Sequence, residues 1–433
     1  MPLKITINKG LFKSIITLMS GTAAAQLIAI LLQPVLRRMF LPEDFGAMGV
    51  YTSLVLILSS LSTLRYEPAI VQPEQKADAI NLFFLAFYIN LIFSLLLFLV
   101  VIIFLNPLAA FLNLAAGYHW WLLFLPASVL MLGTYQVMNY YLIREKAFGA
   151  ISVNKGIRRA SEGAVQLFGG SIKWPAGLVL GDVAGHLANV MSGFRQMRKA
   201  SFSFADHSLS LQKKLFRQYA DFPLYYMLPM SLNVVCLMAP LLFINKFYST
   251  ETAGYFDITR LVLIIPSALL TVSVGQVFLQ NISQKKREGL SFMQDFFQLT
   301  GILSLLALVM ALVLTLAGPQ LLAWYAGPSY HIAGQFAQIL VWGTFARIIV
   351  SPMTMVYIGM RRLKTQAAWQ ILYFLMIVSL VFFRHLPVMH FLIILTAIEV
   401  FAYIINFGLV WRIVRKYHRN LGQQPAADES DNP

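Results

Sequence analysis

The sequence predicts an all-α protein that crosses a membrane with twelve transmembrane helices, arranged as two six-helix bundles around a central cavity. Composition, the spacing of apolar runs and the placement of Lys and Arg carry this expectation. Of the 433 residues, 58% are apolar and 12% charged, with a mean hydropathy of +0.70. Soluble domains carry roughly twice that charge, so a soluble globular enzyme is excluded. A span needs about 20 apolar residues, so this chain holds enough for about a dozen. Little remains for a domain outside the membrane. The net charge of +15 lies between apolar runs. It reads as orientation signal and as contact with membrane lipid headgroups rather than as a nucleic-acid surface.

The runs place spans at 14–36, 46–64, 80–105, 119–142, 148–169, 176–195, 222–245, 254–280, 296–317, 332–357, 366–383 and 388–411. The first follows Lys4, Lys9 and Lys13 and contains Ala23 and Ala25, which imitate a signal-peptidase site. Its apolar stretch runs on to Leu36, and an uncleaved first span is expected. The second opens on Pro42-Glu43-Asp44, a helix start with Pro in the first turn and acids at the positive end. The fifth differs from the others, because it carries Lys155, Arg158, Arg159 and Glu162. These and Gln166 follow a helical period along one stripe, whereas Val153, Ile157, Ala160, Ala164 and Leu167 follow another. The single cysteine, Cys236, lies in the seventh run and permits no intrachain disulfide.

Charge counting decides whether the fifth run spans. With twelve spans and both termini inside, cytoplasmic segments hold 23 Lys and Arg against 5 in outer loops, Arg37 and Arg38 among them. Without the fifth span the distribution becomes 13 inside against 18 outside. The excess of positive charge on cytoplasmic loops therefore requires it. A helix lying in the headgroup plane is the competing reading.

The two halves echo each other. Pro34, Phe40, Glu43 and Gly46 precede or open the second span; Pro240, Phe247, Glu251 and Gly254 do the same for the eighth. Halves of six spans in one orientation imply a parallel repeat with a cleft between them. The expected boundaries are 1–195 for the first bundle, 196–221 for a basic cytoplasmic linker, 222–411 for the second bundle and 412–433 for a cytoplasmic tail, polar at its end.

Charges within spans mark candidate function. An Arg or Lys at a helix centre costs roughly 2.5–3.5 kcal/mol on insertion scales, so such groups face protein or a water-filled cavity. Lys155, Arg158, Arg159, Arg260 and Arg347 are the cationic candidates for binding an anionic cargo. Glu162, Asp182 and Glu399 are candidates for ion coupling. Asp182, His186 and Asn189 share one helix face, as do Glu399, Tyr403 and Asn406. The competing reading is polar glue between helices, with Asp257–Arg260 as one pair. Trp120-Trp121 and Tyr140-Tyr141 read as interfacial anchors before they read as sugar-stacking surfaces. The histidines at 119, 331, 385 and 390 form no ligand spacing, and no cofactor or metal site is expected.

Several motifs support a family resemblance: Gly21-Thr22-Ala23 with Gln26, Pro34 with Arg37, Pro42-Glu43-Asp44-Phe45-Gly46, and Arg65-Tyr66-Glu67 with Ala69-Ile70 and Pro73. Over this stretch the chain resembles the polysaccharide transporters, the lipid-linked O-antigen flippases of bacteria. These belong to the multidrug/oligosaccharidyl-lipid/polysaccharide exporter superfamily. The resemblance implies twelve helices around a V-shaped cavity in the bacterial inner membrane. It implies flipping of undecaprenyl-diphosphate-linked oligosaccharide to the periplasmic leaflet by alternating access. Polysaccharide polymerase and chain-length proteins are partners it suggests. A multidrug/cation antiporter and a membrane polymerase or ligase remain the alternatives; the sequence lacks the large outer loop that the enzyme would need.

Overall fold

The computed structural model describes residues 26–28, 30–203 and 206–421. Most of the first expected span, the three N-terminal lysines and the end of the tail lie outside these residues. Among the described residues every regular element is helical. The chain divides into two compact units, Met1–Gly254 and Tyr255–Pro433.

The first unit contains α1 (described over 30–39), α2 (Pro42–Ser62), α3 (Lys76–Ile103), α4 (Leu105–Leu112) and α5 (Leu125–Arg144). It continues with α6 (Phe148–Ser171), α7 (Gly177–Lys199), α8 (Leu209–Gln218) and α9 (Met227–Phe247). The start of α10 (Thr250–Arg287) also belongs to it. The second unit holds the rest of α10, then α11 (Met293–Ala326), α12 (His331–Met353), α13 (Met355–Gly359), α14 (Leu363–Val378) and α15 (Val388–Leu421).

Eight helical segments among the described residues are long and apolar enough to cross a membrane. Exposed faces such as Ile92, Leu95, Leu96 and Leu99 on α3, or Leu305, Val309, Leu312 and Leu316 on α11, are apolar. Continuous apolar surface of this kind is untenable in water and ordinary against lipid. Neither α6 nor α7 is among the eight, because each carries charges that lower its hydropathy. Both are nevertheless full-length helices packed as a hairpin.

Pro42, Glu43 and Asp44 form the first turn of α2, as the sequence suggests, and the Asp44 carboxylate accepts from the Leu41 amide at 2.8 Å. Arg37 departs from expectation. It lies in α1 rather than a loop and is buried. Its Nε donates to Gln33 Oε1 at 3.0 Å, and its guanidinium sits 3.6 Å from the Phe45 ring centroid. Stacking and hydrogen bonds together make the burial tolerable.

The echo between the two hairpins has a physical meaning inside the first unit. A Cβ at Gly46 would lie 1.7 Å from the Thr250 carbonyl oxygen, and one at Gly254 would lie 1.8 Å from that of Pro42. The two helix starts thus cross backbone to backbone, which only glycine permits. Gly46→Val is expected to lower the thermal unfolding midpoint in detergent by several degrees, since overpacking costs about 1–3 kcal/mol. An unchanged midpoint would refute the contact.

The segment expected as a linker is largely ordered. After α7, Phe202 enters an aromatic cluster with Phe83, Phe84 and Tyr141, 4.8 Å from the Phe83 ring. Asn81 donates to Asp206 O at 2.7 Å and accepts from the Ser208 amide at 2.8 Å. Ser208 then caps α8, which lays Leu215 into the core and leaves Lys213, Lys214 and Arg217 exposed. The paired aromatics also divide differently from expectation. Trp121 and Tyr141 are core residues, so neither anchors at an interface.

Candidate functional site

In the first unit the candidate site is built on α6 and α7. The apolar stripe of α6 faces outward, with Val153 and Ile157 exposed, whereas Gln166 and Asn154 on its polar side are buried. This inverts the amphipathicity of a water-soluble helix and is what lipid on one side demands. The close approach of α7 comes from Gly177, Gly181 and Gly185, one per turn. A Cβ at Gly181 would meet Gln166 Cγ at 2.5 Å, and one at Gly185 would meet Glu162 Cβ at 2.9 Å. The spacing Gly-x-x-x-Gly-x-x-x-Gly was readable in the sequence as a packing seam.

That seam brings together charges that the sequence listed on separate helices. Arg158 Nη2 lies 3.7 Å from Asp182 Oδ1 and 3.4 Å from His186 Nε2, and His186 Nε2 lies 3.5 Å from Asp182 Oδ1. Arg159 Nη1 donates to both carboxylate oxygens of Glu162, at 3.0 and 3.1 Å. Lys155 is half-buried one turn earlier. Asp182, His186 and Asn189 are almost wholly buried. Tyr51, which the sequence did not single out, bonds Ser128 at 2.6 Å and lies within electrostatic reach of Asp182.

Several polar atoms here have no partner among the described residues: Asp182 Oδ2, His186 Nδ1, Arg158 Nε, Asn154 Nδ2 and both amide atoms of Asn189. Buried polar groups ordinarily find partners. The orphaned oxygens of Asp182 and Asn189 are acceptors for a proton, a water or a cation, whereas the orphaned N–H groups of Arg158, Asn154 and Asn189 call for water or an anion.

In the second unit Arg347 pairs directly with Glu399, whose Oε1 also accepts from the Tyr373 hydroxyl at 3.3 Å. Trp369 stacks on Tyr373 with centroids 5.5 Å apart, and Tyr403 packs against both rings. Gly343 makes room for the carboxylate, since a Cβ there would lie 2.3 Å from Glu399 Oε2. The cation and acid that the sequence offered for separate roles are therefore partners. Arg260 bonds Asp257 at 3.3 Å, as their spacing suggested. Tyr357 donates to Asn406 Oδ1 at 2.7 Å.

Residues 35–333 match the family described as polysaccharide biosynthesis protein. No curated protein matches the chain by sequence. Among solved structures, an inward-facing multidrug resistance MATE family transporter of the MOP superfamily aligns with a TM-score of 0.72 at 12% identity, covering 91% of this chain and 96% of that one. The lipid II flippase MurJ in an inward closed conformation aligns with a TM-score of 0.70 at 13% identity, covering 96% and 94%. A MOP superfamily transporter from Pyrococcus furiosus, described by a reversed polarity of its binding pocket, aligns at 0.58 with 14% identity, covering 94% and 95%. These neighbours are named as transporters and a flippase rather than as enzymes. The chain belongs to the polysaccharide biosynthesis protein family and has the helical membrane fold shared by MATE transporters and the lipid II flippase.

Proposed function

We propose that the protein is a flippase carrying undecaprenyl-diphosphate-linked oligosaccharide from the cytoplasmic to the periplasmic leaflet of the bacterial inner membrane, for O-antigen or another surface polysaccharide. Both termini are cytoplasmic in this reading, and a polysaccharide polymerase and chain-length proteins act on its product. The observation that supports it is the cationic stripe of α6, with Arg158 within 3.7 Å of Asp182 and Arg159 paired with Glu162, acids that a cargo can displace. Lys155, Arg158 and Arg159 hold the diphosphate or acidic sugars; in the second unit, Arg347 and Arg260 are the cations offered to an anionic cargo. Glu162 occupies Arg159 when cargo is absent and Asp182 occupies Arg158. Binding is then an exchange of one carboxylate for one phosphate at each guanidinium, which keeps the arginines paired, while the released Asp182 keeps His186 as its neighbour.

Alternating access needs a driving force. Each elementary charge crossing the membrane is worth roughly 2.3 kcal/mol per 100 mV, so a negative cytoplasm drives an anion outward. In proteoliposomes, a fluorescent prenyl-diphosphate oligosaccharide should flip faster when a potassium–valinomycin potential makes the donor side negative. No protein-dependent flipping at any potential would sink the proposal. The cation-antiporter reading draws on the orphan atoms around Asp182. It predicts cation efflux that follows a pH or sodium gradient and ignores the lipid-linked cargo.

A further inference from the structure

We propose that cargo and a proton bind together in the first unit: when a phosphate draws Arg158 away from Asp182, His186 takes up one proton at Nε2 and replaces the arginine as the partner of Asp182. The proton is then a second ligand of the protein, and each ligand strengthens the binding of the other. This deepens the flippase reading and rests on it for the identity of the cargo.

His186 Nε2 stands 3.4 Å from Arg158 Nη2 and 3.5 Å from Asp182 Oδ1, and Arg158 Nη2 is 3.7 Å from the same oxygen. A guanidinium is permanently charged and only donates, so Nε2 accepts from it and carries no hydrogen while Arg158 is in place. A proton on Nε2 would set donor against donor and cation against cation. Arg158 in this position and a protonated Nε2 therefore exclude each other. Once Arg158 turns to a phosphate, Asp182 is a buried anion without a cation, which is costly. The ring nitrogen that faces its Oδ1 is then released to take a proton from water and donate it to the carboxylate. The proton returns to water when Arg158 comes back.

The arginine is the member of this triangle that solvent reaches. Its side chain is 26% exposed, against 4% for Asp182 and 2% for His186. The helix backbones are already in contact, since a Cβ at Gly185 would lie 3.1 Å from the Arg158 carbonyl oxygen. An exchange of partners therefore falls to side chains. The other charged or titratable groups nearby hold their state. Glu162 on α6 accepts from Arg159 through both oxygens, and Lys155 lies one turn earlier. Tyr51 on α2 is within electrostatic reach of Asp182, and Tyr135 on α5 within reach of Arg158, and phenols stay neutral in the range where histidine titrates.

The same spacing recurs on α15, where Glu399, Tyr403 and Asn406 follow at the intervals of Asp182, His186 and Asn189. There the acid is closed off. Arg347 pairs with it directly, and the Tyr373 hydroxyl donates to the same oxygen at 3.3 Å. Tyr403 stands at the position of His186 and has no basic nitrogen. Asp182, by contrast, keeps Oδ2 without a partner among the described residues and has a basic ring beside it. Of the two acids, Asp182 is the one built to change partners.

The test measures binding of farnesyl diphosphate to the full chain in phosphatidylcholine nanodiscs, between about pH 6 and pH 8, where histidine titrates. Wild type, Asp182→Asn and His186→Gln are compared, with the melting midpoint of each. Protonation of the diphosphate itself is common to all three and cancels in their ratios. Asp182→Asn strands no carboxylate, so it should bind more tightly than the wild type at the alkaline end. The complex holds a proton that the free protein lacks, so acid favours binding. The wild type should close the gap as pH falls, by up to about tenfold per pH unit for one linked proton. In His186→Gln, whose amide accepts from Arg158 but takes no proton, the gap should stay open. Calorimetry in buffers of different ionisation enthalpy should count about one more proton taken up by the wild type than by either variant. A ratio of wild type to Asp182→Asn that is flat with pH would overturn the linkage. His186→Gln following the wild type in pH dependence and proton count would overturn it too, whether or not Asp182→Asn folds. The two proposals fail separately. Linked proton uptake in a protein that flips no cargo keeps the proton site and removes the flippase. Flipping of cargo with a flat ratio and no linked proton does the reverse.

Discussion

Glu399→Ala is expected to destabilise the second unit by about 3 kcal/mol or more, because it strands Arg347 without its charge partner. The carboxylate is also the acceptor for Tyr373, so its loss orphans a hydroxyl as well as a guanidinium. Arg347→Ala should cost a similar amount by stranding Glu399. The double change Arg347→Met/Glu399→Leu should recover most of the stability, since replacing a whole buried pair by apolar groups is often neutral or favourable. Thermal unfolding in detergent, followed by tryptophan fluorescence, reads all three. Single variants that melt with the wild type, or a double variant worse than both, would show that the pair holds nothing together. The double variant also separates two roles for Arg347. If it is stable yet inactive in flipping, Arg347 contributes to cargo as well as to packing.

Arg158→Ala/Arg159→Ala is expected to reduce flipping of lipid-linked cargo by about tenfold or more, from the loss of charge-assisted contacts to phosphate. The protein should remain inserted and folded. Arg159 is 37% exposed, so its pair with Glu162 adds little stability, whereas removing Arg158 strands the buried Asp182 and should lower the melting midpoint without preventing insertion. Arg→Lys at both positions should retain part of the rate if bulk charge suffices and less if the paired edge of the guanidinium matters. Wild-type flipping by the double alanine variant, at matched abundance, would make the cluster structural. Asp182→Asn discriminates the driving force. Under drive by the membrane potential it alters turnover but leaves the dependence on potential intact. If it abolishes a dependence on the pH gradient instead, Asp182 is the coupling site.

Much of the α6 surface was legible without coordinates. Lys155, Arg158, Arg159 and Glu162 fall on one stripe and Val153, Ile157 and Ala160 on another; in the structure the second stripe is exposed and the first is partly buried, Arg159 least, with its side chain 37% exposed. The helix start at Pro42 was legible for the same reason: capping and dipole effects act within one turn. Other features had a signal that was harder to read. The three glycines of α7 mark a helix seam, yet only their contacts with Glu162 and Gln166 show which helix they receive. The matching Glu-x-x-Gly hairpins suggested a repeat, and within the first unit the two glycines also touch.

Composition, periodicity and charge asymmetry determined by themselves that this chain is a helical membrane protein, and they placed a cluster of cations on one helix. Those properties are sums over residues: a transfer free energy per side chain and a fixed 3.6-residue period suffice to read them. Only the tertiary structure decided which charges meet. Arg158 and Asp182 stand on different helices, Arg347 and Glu399 are 52 residues apart, and Arg37 is buried under Phe45 instead of lying in a loop. Leu64 and Arg65 end α2 with φ of 49° and 58°, although neither residue prefers a positive φ and glycine is the usual choice there. Pairing distances and stored strain depend on how separate helices pack and on contacts from elsewhere in the chain, and no window along the sequence contains them.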